Sequence, residues 1–383
     1  MQDSRVEQRP AWQRVLKFTV RFVCVTLVLA FLAEGYFRVR PWIKTGIFWR
    51  SVFWGTDQTY KTDPKTGLRI LIPASNFGPV HINAFGFRSP PITLVKPAGR
   101  LRLAFLGGST TYCSEVSSDE MTWPYLVVAE IKRRFPELDI DFLNGAVPGY
   151  STKGLTPYFE KRIARFHPDV IVIYEAANDL SLNSYTLARE QGVTTHSVDQ
   201  SMGWLAHHSL FVYLVEKNLK TLALQHEVQA QPKLVLDQAR LDAMYRKDLT
   251  ALVEASKQVA DLVVTATFAP RLRAGQSPSE LRAAAATSLY YMPYMTPEAI
   301  LEGFQHYNDV IRSVSAEEDC LLVGNEDSIP ADSLHYKDSA HFADAGSVLM
   351  AKRVADALLN SPRFLKLVSE HTHPATVSAG PNQ

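Results

Sequence analysis

From residue 100 onward, short apolar runs alternate with longer stretches whose apolar residues recur at helical spacing. The runs are 101–106, 138–143, 169–174, 261–268 and 320–323. Apolar runs of about four to eight residues suit buried strands. The run at 169–174 is nearly all apolar, as expected of a strand covered on both faces. Between the runs, residues 121–134, 155–166, 241–259, 297–314 and 343–359 carry the period of amphipathic helices. Strands alternating with helices predict a parallel, doubly wound sheet with right-handed crossovers.

Four regions depart from that rhythm. Near the start, Arg5, Arg9, Arg14, Lys17 and Arg21 precede 22–33, a run without a charge, and Glu34, Arg38 and Arg40 follow. The run is short for a membrane span, which needs about 20 residues. Residues 18–37 can serve as one if Arg21 and Glu34 snorkel to the two interfaces. No A-x-A cleavage site follows, so 1–40 reads as a basic flank and a retained signal anchor, ahead of a cleaved signal or a buried helix. The basic flank places the amino terminus in the cytoplasm and the remainder in the periplasm or another extracytoplasmic space. Residues 41–99 are rich in aromatics, Gly and Pro, and predict a small irregular or β-rich extension with a strand at 68–72. Residues 180–240 predict a helical insertion in the main domain, 100–360, forming a cap or side wall of a binding site. The insertion's Trp204, Phe211 and Tyr213 are expected to be its own core. The last stretch, 361–383, is expected to be a disordered tail.

Composition narrows the classes. The 383 residues are 46% hydrophobic and 21% charged, ordinary for a globular chain. A net charge of +1 argues against a nucleic-acid partner. Three cysteines with no C-x-x-C pair suggest neither a zinc site nor a disulfide framework. Cys113 and Cys320 would lie at opposite ends of their strands, so no bridge between them is expected.

The candidate chemistry sits where the predicted strands end. Gly107 and Gly108 close the first strand, and Ser109 follows at the start of a helical pattern. A serine there lies beside free backbone N–H groups and the positive end of a helix, which suits a nucleophile. A structural turn remains open for this stretch. A phosphate-binding loop would end in Gly-Lys-Ser/Thr, which is missing. The second strand runs into Asn144 and then Gly149, whose N–H can approach a reacting centre or belong to a plain turn after Pro148. The third runs into Glu175, Ala176, Ala177, Asn178 and Asp179, where Asn178 can donate to an oxyanion or cap a helix. Just before the closing helix, Asp338 stands three residues ahead of His341, close enough to reach Nδ1 and leave Nε2 free to take a proton from a serine. Asp332 and His335 have the same spacing.

Taken together and in order, these blocks resemble the SGNH hydrolases, the wider family of the GDSL esterases and lipases. Gly107 to Thr110 resembles the nucleophile block, Asn144 to Gly149 the N-x-x-x-x-G block, Ala176 to Asp179 the G-x-N-D block, and Asp338 to His341 with Gly346 the final D-x-x-H block. The trailing glycine and helix favour Asp338 and His341 over Asp332 and His335. Two positions depart from the family pattern. Gly108 stands where G-D-S has aspartate, and Ala176 stands where G-x-N-D has glycine, where its methyl could crowd the turn that aims Asn178.

The resemblance implies a flavodoxin-like three-layer α/β/α sandwich with a five-stranded parallel sheet. It implies a serine hydrolase with Ser109 as nucleophile, His341 as general base and acid, and Asp338 as its orienter. The oxyanion would be held by the N–H groups of Ser109 and Gly149 and by the Asn178 side chain. No metal or organic cofactor is implied. The expected substrate is a short-chain acyl ester, an O-acetyl group above all, on a cell-envelope carbohydrate. The alternatives are an O-acyltransferase using the same serine and a non-catalytic glycan-binding module.

Overall fold

The strands, in chain order, are β1 (Tyr60–Thr62), β2 (Arg69–Leu71), β3 (Asn76–Phe77), β4 (Val80–His81), β5 (Leu101–Gly107), β6 (Ile140–Asn144), β7 (Val170–Tyr174), β8 (Leu262–Ala266) and β9 (Leu321–Val323). The last five are the predicted apolar runs. They form one sheet in the order β6-β5-β7-β8-β9, every pair parallel. Parallel neighbours need crossovers, and the chain supplies helices between them. The helices are α1 (Ala11–Thr45), α2 (Ser109–Tyr112), α3 (Trp123–Arg134), α4 (Thr152–Tyr158), α5 (Ala177–Glu190), α6 (Leu210–Ala230), α7 (Gln238–Lys257), α8 (Pro278–Ala284), α9 (Ala286–Tyr291), α10 (Pro297–Glu317), α11 (Asp344–Leu359) and α12 (Pro362–Thr372). Helices α3, α11 and α12 pack together, as do α4, α5, α7 and α10, and the two groups flank the sheet. The fold is thus the expected α/β three-layer sandwich with a five-stranded parallel sheet. In this computed structural model the described residues are 11–45, 59–193, 203–206, 208–230 and 232–372.

Arg102, the charge inside the first apolar run, is fully buried in β5. Its guanidinium grips Asp141 of β6 through Nε at 2.7 Å and Nη2 at 2.8 Å, and Nη1 donates to the Phe166 carbonyl. A fork-shaped pair of this kind is how a buried arginine is tolerated in a core. Behind β5, Trp123 of α3 is buried edge-on to Phe105 and Tyr174, with ring centroids at 5.2 and 5.9 Å.

Several expectations change. The helix expected at 155–166 is wound in three ways: α4 to Tyr158, a wider π turn over Phe159–Ile163, and a tight 3₁₀ turn over Ala164–Phe166. Pro157 lies inside α4 and has no N–H for the ladder, which disturbs the regular winding. The stretch expected as a tail from 361 carries α12, which buries Phe364, Leu367 and Val368 on one face. The tail beyond Thr372 lies outside the described residues.

The expected insertion at 180–240 is not one element. Its first residues complete α5, whereas Asp199–Ala223 joins Met1–Gly55 in a unit of its own. The other unit comprises Thr56–Val198 and Leu224–Gln383. Expected positions in 1–10, 46–58, 194–202, 207 and 231 lie outside the described residues.

Within the smaller unit, Val15–Arg40 of α1 is long and apolar enough to cross a membrane. Its Phe18, Phe22 and Phe31 are exposed. Glu34 does not simply reach outward. Its carboxylate accepts from Ser209 Oγ at 2.8 Å and from the N–H groups of Leu210 and Phe211 at 3.1 and 2.8 Å, and it pairs with Arg38. A carboxylate at the first turn of α6 satisfies donors that the helix itself leaves free. Phe37 stacks on Phe211 with centroids 6.3 Å apart, while Trp204 is exposed and so is not the core residue expected.

Candidate active site

The end of β5 turns sharply at Gly108, and Ser109 opens the short helix α2. As the first helical residue, Ser109 has an N–H with no partner inside the helix. Its hydroxyl is 2.7 Å from His341 Nε2. On the other side of the ring, His341 Nδ1 is 2.8 Å from Asp338 Oδ2. The remaining oxygen, Asp338 Oδ1, accepts from the N–H groups of Ala340 and His341, each at 2.9 Å. Three residues of spacing let one aspartate hold both the backbone and the ring of the histidine. The structure thus joins Ser109, His341 and Asp338, 232 residues apart along the chain from serine to histidine.

Burial by itself would raise the Asp338 carboxyl, but the hydrogen bond and charge of His341 and the two backbone donors outweigh it and hold the group below its usual range. Burial would lower His341, yet the Asp338 hydrogen bond and charge, with the charge of Glu115, raise it above the ordinary histidine value of 6.5. An ionised aspartate beside a histidine of raised basicity suits proton transfer from a serine.

The rival pair goes elsewhere. Asp332 Oδ1 accepts from the backbone and Nδ1 of His335, the ring contact being 2.7 Å, and that aspartate is exposed. Ser109 meets His341. The His335 carbonyl packs against Gly346, where an added Cβ would approach it to 2.1 Å, so the trailing glycine lets α11 start close beneath that stretch.

Asn178 lies in the first turn of α5, and its Nδ2 donates to the Tyr150 carbonyl at 3.0 Å. The Glu175 carboxylate lies beside the same amide and interacts with it as well. Asn178 does not cap α5. That task falls to Glu175, whose Oε1 accepts from Asn178 N–H at 2.8 Å while Oε2 accepts from Gly108 N–H at 2.7 Å. A buried carboxylate therefore ties the nucleophile turn to the turn that carries Asn178. Burial drives Glu175 upward, and the charge of the likewise buried Asp179 adds to the shift. Burial also raises Asp179, which accepts from Thr152 N–H and Oγ1 and so binds α5 to α4.

The departures from the family pattern have local explanations. A Cβ at Gly108 would stand 2.4 Å from both Asn178 Nδ2 and Glu175 Oε2, so an aspartate there would displace both. Ala176 has φ −160°, outside the left-handed region that calls for glycine, and its methyl is accommodated in the core.

Around Gly149, Asn144 accepts from Ala146 N–H and donates its amide to the Thr111 carbonyl at 3.0 Å, so the block that leads to Gly149 also holds α2. Trp123 Nε1 donates to the Thr110 carbonyl at 3.1 Å from beneath.

Three residues at the site were given no role by the sequence reading. Glu175 had a legible signal, a carboxylate placed directly after an all-apolar strand. Arg88 and Arg69 had none. Arg88 is buried, donates to the Tyr112 and Cys113 carbonyls at the end of α2 at 3.1 and 2.6 Å, and pairs with Asp119 at 2.7 Å. Arg69, from β2, donates to the Pro148 carbonyl. Cys113 and Cys320 are both free thiols, in line with the expectation of no bridge. Among the described residues no cluster of His, Cys, Asp and Glu has the form of a metal site.

The sequence model of the GDSL-like lipase/acylhydrolase family matches residues 105–349. Among solved structures, the chain is similar to Axe2, an acetylxylan esterase from Geobacillus stearothermophilus, at 17% identity and TM-score 0.40, covering 70% of this chain and 94% of that one. A putative GDSL-like lipase from Parabacteroides merdae matches at 17% identity and TM-score 0.40, over 67% of this chain and 94% of that one. LAE5, an alpha/beta hydrolase enzyme from the metagenome of Lake Arreo, Spain, matches at 14% identity and TM-score 0.39, over 70% and 95%. No curated protein matches the chain.

Proposed function

Because this chain belongs to the GDSL-like lipase/acylhydrolase family, we propose that it is an esterase working through an acyl-serine intermediate on Ser109. The observation that carries this reading is the contact of Ser109 Oγ with His341 Nε2 at 2.7 Å, with Asp338 on the opposite ring nitrogen. Ser109 Oγ attacks the ester carbonyl and gives its proton to His341 Nε2. The N–H groups of Ser109 and Gly149 and the Asn178 side-chain amide receive the oxyanion. His341 then passes the proton to the leaving alkoxide, and the alcohol departs. Water gives a proton to the same nitrogen as it attacks the acyl-serine, and His341 returns that proton to Ser109 Oγ as the acid leaves. Asp338 stays ionised throughout and keeps the ring in the tautomer that presents Nε2.

The substrate in this reading is a short acyl ester, O-acetyl above all, on a cell-envelope carbohydrate. Support comes from the basic residues Arg5, Arg9 and Arg14 ahead of the apolar helix Val15–Arg40, which would anchor the chain with its catalytic unit on the extracytoplasmic side.

The test uses the full-length protein in detergent, labelled with a fluorophosphonate and assayed on p-nitrophenyl acetate. Label and turnover vanish in Ser109→Ala, with a loss on the order of 10⁶ in kcat, and both fall steeply in His341→Ala. Label retained in Ser109→Ala, or a folded wild type that neither labels nor turns over, overturns the reading. Acetate release from O-acetylated polysaccharide, set against hydrolysis of p-nitrophenyl palmitate, tests the substrate class. A preference for the long chain would overturn that part alone.

A further inference from the structure

The oxyanion donor assigned to Gly149 belongs to the peptide that joins Pro148 to Gly149. That peptide is the middle of a four-residue turn. Tyr150 N–H donates to the Val147 carbonyl at 3.1 Å, and Gly149 has φ +81°. Proline in the second place and a left-handed glycine in the third make this a type II turn. In type I and type II turns the flanking residues run alike while the central peptide is turned over. The same chain path can therefore point Gly149 N–H toward a ligand or away from it, and something has to select one orientation.

Arg69 is placed to do so. It lies in β2, and its Nη2 donates to the Pro148 carbonyl, the other end of the same peptide group. A Cβ on Gly149 would stand 2.9 Å from that nitrogen. The guanidinium is itself held, 4.8 Å from the Tyr60 ring centroid and 5.6 Å from that of Tyr150. Tyr150 OH donates to the Arg69 carbonyl at 2.7 Å, and the Tyr150 carbonyl takes the Asn178 amide. Arg69 thus touches the supports of two of the three assigned oxyanion donors.

We propose that Arg69 is a positioning residue of the oxyanion hole, holding the Pro148–Gly149 peptide so that its N–H faces the reacting carbonyl. A cation on the carbonyl oxygen also draws electron density from the amide and makes its N–H a stronger donor. The proposal rests on the reading of Gly149 as an oxyanion donor.

The experiment compares full-length wild type, Arg69→Met and Arg69→Lys in detergent. Methionine keeps an apolar stem against the two tyrosine rings and removes the donor, whereas lysine keeps a cationic donor. Readouts are kcat and KM on p-nitrophenyl acetate, affinity for a boronic acid that forms a tetrahedral adduct on serine, and the unfolding midpoint. A misaimed donor acts only on the tetrahedral state. Arg69→Met therefore lowers kcat and boronate affinity together by about ten- to a hundredfold, with KM and the midpoint near wild type, and lysine recovers most of the loss. Wild-type kcat in Arg69→Met, a loss confined to KM, or a lysine variant as poor as methionine overturns the proposal. A wild type without turnover or boronate binding overturns the esterase reading instead, so the two failures are distinct.

Discussion

Ser109 stands just beyond β5, and Asp338 and His341 lie just ahead of α11, whereas Arg69, in β2, and Arg88 come from the stretch ahead of β5. The first group meets through side-chain atoms of its own: hydroxyl to imidazole, imidazole to carboxylate. The second group acts through main-chain carbonyls, those of Pro148, Tyr112 and Cys113. A reacting side chain must be one of a few types, at a place set by a strand end. A carbonyl is present at every residue, so an arginine that grips one leaves no pattern. The sheet edge supplies the chemistry in this comparison, and the extension holds it in place.

The comparison breaks most readily at Asp338. Asp338→Asn leaves a hydrogen-bonding group but favours the wrong tautomer of His341, and kcat should fall by about 10⁴. Asp332→Asn, the same change in the pair that does not meet Ser109, should leave turnover at the wild-type rate. Equal losses would mean that the two pairs have been wrongly distinguished. The pH profile adds a sign. His341 must be neutral to accept the serine proton, and its affinity for protons is raised. The acid limb of kcat/KM therefore lies above pH 6.5 in wild type and moves down in the residual activity of Asp338→Asn. A limb below pH 6.5 in wild type would contradict the raised basicity.

A smaller effect is expected at Asn178. Asn178→Ala removes one oxyanion donor, and kcat should fall by about 10²–10³ with KM little changed. The midpoint of unfolding separates this from simple loss of structure, since the same amide also holds the Tyr150 carbonyl.

Arg88 sharpens the other side. Arg88→Ala leaves the Tyr112 and Cys113 carbonyls without their donor and Asp119 without its arginine. Losing a buried pair of this kind costs about 3 kcal/mol, the low end of its range because Asp119 is partly exposed. Chemical denaturation of the full-length chain would show it as a lowered midpoint. An unchanged midpoint would mean that the extension does not stabilise the nucleophile helix.

The strands were legible because most of their residues are buried and so read as short, largely apolar runs, with Arg102 of β5 and Asp141 of β6 as a paired exception. The observed limits of β5 to β9 differ from the predicted runs by a few residues at most. The winding after Pro157 was not legible as a period, because a proline inside a helical pattern can kink, end or widen the helix according to its neighbours. The division of 180–240 was not legible either. The first turn of α6 is capped by Glu34, 175 residues from Ser209 along the chain.

The sequence by itself determined the class of fold and the set of candidate groups. Burial demands apolar runs of strand and helix period, and strand ends are where such a sheet presents side chains. The trailing glycine and helix had favoured His341 over His335, and the fold set His341 against Ser109; packing alone aimed the Asn178 amide at the Tyr150 carbonyl and brought Arg69, Arg88 and Glu175 to the site. Spacing along a chain states which atoms can reach one another locally. Which of them meet across 232 residues is settled by how the layers pack.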